Sequence, residues 1–324
     1  MADLLQNRLI RTPIPPLKTF YDDPLRVIRA VRFAERYRFE LADELVEAAK
    51  SEQIRARLEI VSRERFGVEI SSMFRGRDPA MGVRLLLELG LFVMVFLNNQ
   101  PVVHETPVTL ALQARCLRSL SLFSQLALPS LLPEQAPAHL QATIFAALML
   151  PLHLIADRPR LQLLETHVRP SLYLSNHETK DSIALLRHHA PFYTAAALID
   201  QQDPASFRSS TGMALRELGP ELWRDALRLA MVRTAMELPD PLQAVPLFQR
   251  LLRKIDAEQL LTAFSLKPLF TGASLFSLLG ISPGPQVAHI MQEQIRWLLE
   301  CPSNPSNPEA CADFLIRSFK QDRC

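Results

Sequence analysis

Glycine and β-branched residues are scarce in this sequence. Only 9 of the 324 residues are glycine, whereas 25 are proline. Leu, Ala, Arg and Gln are abundant instead, and these side chains lose little rotamer freedom in a helix. The composition argues against a sheet-rich fold. It predicts an all-α protein, an elongated multi-helix array with few or no strands, in which prolines separate the helices.

Cysteine is also sparse and shows no metal-binding pattern. The four cysteines, Cys116, Cys301, Cys311 and Cys324, form no CxxC pair and have no histidine at zinc-ligand spacing. This excludes a zinc finger and predicts reduced structural thiols in an intracellular protein. The N-terminus has neither an apolar core nor a cleavage site, which excludes a secretory signal. Cytoplasm, nucleus and mitochondrion are not distinguished.

A large net charge is lacking as well. The 36 basic and 34 acidic side chains nearly balance, so net charge indicates no partner. One stretch without formal charge, Gln135 to Ala156, is long enough to raise the question of a membrane span. Prolines and histidines interrupt it, and we expect a buried helix and no membrane partner.

Capping signals divide the chain into roughly fifteen helices. Helix starts are predicted where a capping side chain precedes proline or an apolar run: Asp22-Asp23-Pro24, Ser62, Asp78-Pro79, Asp240-Pro241 and Asn307-Pro308. Helix ends are predicted at three glycines that close apolar runs: Gly90, Gly219 and Gly280.

The segment from Asp22 to Arg38 places its arginines on one helical face. At helical spacing they form a single stripe: Arg26, Arg29, Arg32 and Arg36. The opposite side is apolar: Val27, Ile28, Val31 and Ala34. Such a helix can pack on a core and present cations to a phosphate-rich ligand. The alternative is a solvated face with acidic partners, although Glu35 can neutralise only one arginine.

Asp23 and Arg26 stand three residues apart, so a helix makes them neighbours. A carboxylate accepts hydrogen bonds and a guanidinium donates them. Cytosine and adenine each present an amine donor beside a ring-nitrogen acceptor, whereas uracil and guanine present the reverse order. The pair can therefore select C and A without a nucleic-acid template. The alternative is an ordinary intrahelical salt bridge.

Three motifs in order resemble the neck of class II CCA-adding tRNA nucleotidyltransferases and bacterial poly(A) polymerases. They are Asp3-Leu4 with Ile10-Arg11, then DDPLRVIRAVRFAERYRFEL (22–41), then SRERFGVEI (62–70). The eukaryotic-like form is the nearest in pattern, and later segments resemble the family's body and tail. The resemblance implies that residues 1–21 are the remnant of a head–neck linker. Three domains follow: the neck (22–92), the body (93–265) and the tail (266–324).

The resemblance also implies roles for the neck residues. Asp23 and Arg26 are expected to pair with the base edge of CTP or ATP, with Asp22 orienting the pair and Arg29 assisting nucleotide binding. Arg32 and Arg36 are expected to face RNA or its phosphates. Arg65 and Glu69, spaced i,i+4, are expected to form a structural salt bridge beside the template helix.

The family's catalytic head is expected to be missing from this chain. In the family, a D-x-D pair binds the divalent metal ions and a GGxVRD turn binds phosphates. This sequence contains neither Gly-Gly nor Asp-x-Asp. The expectation is that Mg²⁺ belongs to the head of the whole enzyme, that this chain has no catalytic residue or metal ligand, and that alone it is inactive.

Three functions remain open at this point. The first is the nucleotide-selecting and tRNA-binding portion of a CCA-adding enzyme, with tRNA, CTP and ATP as partners. The second is part of a poly(A) polymerase or of an enzyme that adds only CC or only A. The third is a non-catalytic helical RNA-binding module. The oligomeric state is not predicted.

Overall fold

A computed structural model describes residues 7–97, 110–126, 139–155, 175–301 and 307–319. Its contacts divide the chain into two units. The first comprises Met1–Arg187 and Val232–Leu242, and the second comprises His188–Met231 and Gln243–Cys324. The predicted neck lies within the first unit and the predicted tail within the second. All the boundaries inferred for the neck, body and tail remain a prediction.

The first unit is built from short amphipathic helices. In chain order they are α1 (Pro16–Asp22), α2 (Arg26–Tyr37), α3 (Asp43–Lys50), α4 (Glu52–Glu59), α5 (Arg63–Phe74), α6 (Pro79–Glu88), α7 (Phe92–Leu97), α8 (Leu110–Gln125), α9 (Leu140–Ile155) and α10 (Asn176–His188). Two parallel strands of two residues each, β1 (Leu9–Ile10) and β2 (Glu40–Leu41), form the sheet among the described residues. The all-α prediction is confirmed.

The second unit continues the helical pattern. Its helices are α11 (Ala190–Ala197), α12 (Pro204–Glu237, of which the part from Val232 belongs to the first unit), α13 (Ala244–Ala257), α14 (Gly272–Leu279), α15 (Pro285–Glu300) and α16 (Pro308–Phe319). Its tail core includes Leu275, Ile290, Leu298 and Leu315, all buried. Apolar burial of this kind supplies most of the stability of helices this short.

Several predicted helix ends are confirmed. The Asp78 side chain accepts the amide of Met81 at 3.0 Å, so it caps α6. Asn307 does the same for α16 through the Ala310 amide at 3.1 Å. The predicted stops at positions 90, 219 and 280 all have positive φ, near 67–68°. Glycine adopts that conformation without the penalty a Cβ would add.

The uncharged segment is an internal helix over its described part. Leu140–Ile155 forms α9, in which Phe145, Leu148 and Leu150 are completely buried. Gln135 and Ala156 themselves lie outside the described residues. No helix in the described part of the chain is both long and apolar enough for a transmembrane span. Cys116, Cys301 and Cys311 are free thiols, as predicted, and Cys324 is not described.

Candidate nucleic-acid interface

Helix α2 has the two faces that its sequence predicts. Val27, Ile28, Val31 and Ala34 are each at most 1% exposed, and they pack the helix against the core. Helices α5 and α6 contact it from the inside of the first unit. Burial of the apolar face fixes the rotation of α2 and therefore turns the arginine stripe outward.

The predicted helix start at Asp22-Asp23-Pro24 is early by about two residues. Asp22 is the last residue of α1, and α2 begins at Arg26. Between them Asp23 is extended, with φ −142° and ψ 99°. The amide of Arg26 donates to the Asp23 carbonyl oxygen at 3.1 Å, which forms a tight turn just before the helix. Asp23 therefore lies beside the first turn of α2 and not within it.

This turn still brings Asp23 and Arg26 together. The Asp23 Oδ2 atom lies 4.0 Å from Arg26 Nε and 3.9 Å from an Arg29 terminal nitrogen. Its other oxygen, Oδ1, accepts a hydrogen bond from Arg65 at 3.0 Å. No described residue donates a hydrogen bond to Oδ2, so that oxygen keeps its acceptor capacity. Arg26 makes the 4.0 Å ion pair and donates no hydrogen bond to a described residue, so its donors remain available to a ligand.

The expected salt bridge between Arg65 and Glu69 is not formed. Both oxygens of Glu69 already accept hydrogen bonds from α2: Oε1 from Arg29 Nε at 2.7 Å and Oε2 from Arg32 Nε at 2.8 Å. Arg65 instead reaches Asp23. Both residues of α5 therefore bind across to the α2 region. The i,i+4 spacing correctly indicated that both residues form ionic contacts, but it predicted the wrong partners.

Glu69 is the buried centre of this ionic network, with 7% of its side chain exposed. Its hydrogen bond raises the pKa of Arg29 above the ordinary value, and the negative charges of Glu69 and Asp23 contribute in the same direction against the effect of burial. Arg29 is therefore fixed in its charged form beside Asp23. Two charge-assisted hydrogen bonds on one carboxylate also restrict the rotation of α2 against α5.

Two other predicted residues have different surroundings. Asp22 is exposed and makes no ion pair or hydrogen bond with a described residue, so its expected role of orienting the template pair has no visible contact. Glu35, expected to neutralise an arginine, is buried and accepts the backbone amide of Asp78 at 2.8 Å. The acidic partners of the stripe lie outside α2 instead: Asp23 pairs with Arg26, and Glu69 pairs with Arg29 and Arg32.

Beyond the turn at Asp23, the arginine stripe leads to a basic cavity of about 690 Å³. Arg32 and Arg36 contribute from α2, and Arg75 and Arg77 from the end of α5 and the turn after it. A second cavity of about 420 Å³ shares Arg77 and adds Arg38 and Arg84. We call the exposed residues Arg36, Arg38, Arg75, Arg77 and Arg84 the arginine surface.

Four members of the arginine surface were not predicted. Arg38, Arg75, Arg77 and Arg84 belong to no motif that we recognised. The signal available was the general density of arginine before residue 78, together with the RGRD turn between two predicted helices. Only the packing of α2 against α5 and α6 brings these positions to one place.

A family model matches residues 38–104 of the chain; its description is "Probable RNA and SrmB- binding site of polymerase A". The match begins at the residue after α2 and continues past the end of α7. It includes every residue of the arginine surface except Arg36.

Curated relatives match nearly the whole chain. The tRNA nucleotidyltransferase cca1 of Schizosaccharomyces pombe is 26% identical over 318 residues, covering 93% of this chain and 62% of the relative. The mitochondrial CCA tRNA nucleotidyltransferase of Saccharomyces cerevisiae is 27% identical, covering 92% and 60%. The chain thus spans about three fifths of these relatives.

Solved structures share the fold at low identity. The Bacillus stearothermophilus CCA-adding enzyme in complex with CTP superposes with a TM-score of 0.59 at 21% identity, over 99% of this chain and 69% of that one. The Thermotoga maritima CCA-adding enzyme complexed with tRNA gives a TM-score of 0.51 at 16% identity, over 98% and 66%.

The curated relatives that match nearly the whole chain are tRNA nucleotidyltransferases, at 26–27% identity. The solved structures that share its fold are CCA-adding enzymes.

Proposed function

We propose that this chain is the nucleotide-selecting and tRNA-binding portion of a CCA-adding tRNA nucleotidyltransferase, which adds C, C and A to tRNA 3′ ends from CTP and ATP. The observation that carries the proposal is the template turn. Asp23 and Arg26 lie side by side on an outward face, and each keeps hydrogen-bonding capacity that no described residue uses.

The base edge that fits this pair is that of cytosine or adenine. Asp23 Oδ2 accepts the exocyclic amine, and the Arg26 guanidinium donates to the ring nitrogen beside it. Uracil and guanine would set acceptor against acceptor and donor against donor. Each mismatched polar group costs about 1–3 kcal/mol when it is shielded from water. Two mismatches together therefore give a large preference.

The residues behind the pair make this selection geometric. Arg65 fixes one oxygen of Asp23, so the other has a defined direction. Glu69 fixes Arg29, whose guanidinium lies 3.9 Å from the same carboxylate. We propose that Arg65 and Glu69 are positioning residues and that Arg29 assists nucleotide binding. Preorganised donors and acceptors need no rearrangement when the nucleotide arrives.

The arginine surface supplies the contact with RNA. A guanidinium binds phosphate oxygens in a bidentate manner and remains charged at all physiological pH values. From Arg26 to Arg36 the stripe runs about 15 Å along α2, at 1.5 Å per residue. The proposed path of the tRNA 3′ end therefore leads from the arginine surface to the template turn.

Mg²⁺ is proposed for the whole enzyme and not for this site. A hard divalent cation needs carboxylate oxygens that are free of competing cations. One oxygen of Asp23 and both oxygens of Glu69 already accept hydrogen bonds from arginine. These residues do not fit a Mg²⁺ site.

The template role is tested by nucleotide incorporation. The chain is joined to the catalytic head of a relative, and incorporation of C, A, U and G onto a tRNA lacking its CCA end is measured. We expect Asp23→Ala and Arg26→Ala to lose most of the preference for C and A. Glu64→Gln and Arg253→Ala, at exposed positions outside the network, serve as matched controls and should keep it. Full discrimination in both template variants would reject the role.

The RNA contact is tested separately by salt-dependent tRNA binding of the chain itself. Arg36→Ala and Arg77→Ala should weaken binding of all tRNA sequences alike and lower the salt slope by about one unit each. Asp23→Ala should leave the tRNA affinity and the salt slope unchanged. If the joined protein incorporates no nucleotide while tRNA binding depends on the arginine surface, the chain is better described as a non-catalytic RNA-binding module.

A further inference from the structure

A second cluster of polar side chains lies in the first unit, between α9 and α10. His139 precedes the first residue of α9, whereas His177 and Asp181 stand four residues apart on α10. The Nδ1 atoms of both histidines lie 2.9 Å from the same oxygen, Oδ2 of Asp181. The two imidazole rings are 5.5 Å apart between centroids.

The burial of the three side chains is unequal. His139 and Asp181 are each 5% exposed, but 67% of the His177 side chain is open to solvent. A buried ionised carboxylate is costly unless a cation or donors compensate it. The exposed histidine gives this carboxylate an entry path from water. The Asp181 carboxylate therefore has a buried partner in His139 and can be reached from solvent on the side of His177.

One of the two contacts is not explained by hydrogen bonding. His139 Nδ1 and Asp181 Oδ2 have hydrogen-bond geometry. His177 Nδ1 lies at the same distance from Oδ2 but makes no hydrogen bond to it. No described residue donates a hydrogen bond to the second oxygen, Oδ1 of Asp181. Among the described residues, His177 Nδ1 and Asp181 Oδ1 are therefore without a hydrogen-bond partner.

The donor set matches a borderline divalent cation. Neutral imidazole nitrogen and carboxylate oxygen are the usual ligands of Zn²⁺, at about 2.0–2.2 Å from the ion. Tetrahedral ligation at those lengths puts neighbouring ligand atoms about 3.3 Å apart. In this structure the possible ligand atoms all lie within 4.8 Å of one another. Shifts of less than about 1 Å convert the cluster into a three-ligand site with an open fourth position on the side of His177.

We propose that His139, His177 and Asp181 bind one Zn²⁺ or similar transition-metal ion, which ties the start of α9 to α10. Each histidine ligates through Nδ1 as an imidazole with its proton on Nε2. No short spacing in the sequence indicates this site, because a long segment separates His139 from His177. The proposal is independent of nucleotide selection.

The test uses the full chain after removal of metal with a chelator. Zn²⁺ binding is measured by calorimetry, and Co²⁺ is added as a probe whose visible absorption reports tetrahedral ligation. We expect one ion per chain and a rise in Tm on adding Zn²⁺. His177→Ala removes an exposed side chain, so the variant should fold. It should weaken binding at least about tenfold, because losing a ligand costs no less than losing a supporting contact.

His289→Ala is the matched control, since it removes an exposed histidine from the second unit. It should leave the stoichiometry, affinity and Co²⁺ spectrum unchanged. Absence of one-to-one binding in the unaltered chain overturns the proposal. Binding that survives in both His177→Ala and Asp181→Asn also overturns it, because the ion then lies elsewhere.

Discussion

Replacing Glu69 with glutamine tests how α2 and α5 are joined at the candidate interface. Glu69 is almost fully buried and accepts one hydrogen bond from Arg29 and one from Arg32, at 2.7 and 2.8 Å. The substitution keeps the size of the side chain. It removes the negative charge and leaves a single acceptor oxygen, while its new amide donors face guanidinium groups that are also donors.

The expected loss follows from the exposure of the two arginines. A hydrogen bond to a charged group contributes about 1.5–3 kcal/mol when it is shielded. Arg32 is 19% exposed and retains most of that value, whereas Arg29 is 45% exposed and water replaces much of its bond. We therefore expect Glu69→Gln to lower the free energy of unfolding of the first unit by about 2–3 kcal/mol.

Hydrogen exchange of the amides in α2 and α5 is the suitable assay, because it reports local opening of this part of the first unit. Glu64→Gln is the control: the same change on the same helix at an exposed position. It should change stability by less than about 0.5 kcal/mol. A double-mutant cycle with Arg32→Gln should give a coupling energy of about 1–3 kcal/mol. Equal exchange rates in Glu69→Gln and Glu64→Gln would refute the assignment of the network as the link between the helices.

Two further predictions concern buried polar groups elsewhere. Gln294 is fully buried; it accepts a hydrogen bond from the Phe270 amide (2.9 Å) and donates one to the Phe270 carbonyl (3.3 Å). We expect Gln294→Leu to destabilise the second unit by about 2 kcal/mol, so that Trp297 fluorescence reports unfolding at a lower urea concentration. Gln286→Leu, at an exposed position, should leave the unfolding midpoint unchanged. Burial raises the pKa of the Cys116 thiol to about 12, so native Cys116 should resist alkylation at about pH 9, where an unfolded thiol is largely ionised. Rapid labelling of the native thiol would contradict the burial. Because the pKa of the thiol is higher in the folded state than in the unfolded state, its protonated form stabilises the fold below about pH 9, and this contribution is lost as the pH rises toward 12. We expect Cys116→Val to remove that part of the loss of stability at alkaline pH.

The arginine stripe shows what could be predicted at the interface. The apolar positions 27, 28, 31 and 34 recur at helical spacing, and their burial alone orients the helix, so the outward position of Arg26, Arg29 and Arg36 followed from the pattern. The start of α2 did not follow. Asp22-Asp23-Pro24 has the residues of a capping signal, but α1 extends as far as Asp22, and the tight turn at Asp23 depends on how two consecutive helices pack.

The ionic partners were predictable only in part. Charged side chains at i,i+4 satisfy each other on an isolated helix, and this local rule suggested Arg65 with Glu69. In the folded chain Arg65 donates to Asp23 in the turn before α2, and Glu69 accepts from Arg29 and Arg32 of α2, so the local pair is replaced by these bonds.

The sequence by itself determined the all-α class, the buried face of α2 and the family resemblance, because each depends on residues close together in the chain. The tertiary structure alone decided which oxygen of Asp23 remains available, which arginines gather around the basic cavities, and that His139 meets Asp181. These are contacts between distant segments, and no periodicity within one segment specifies them; they follow from the way the apolar faces of the helices pack together.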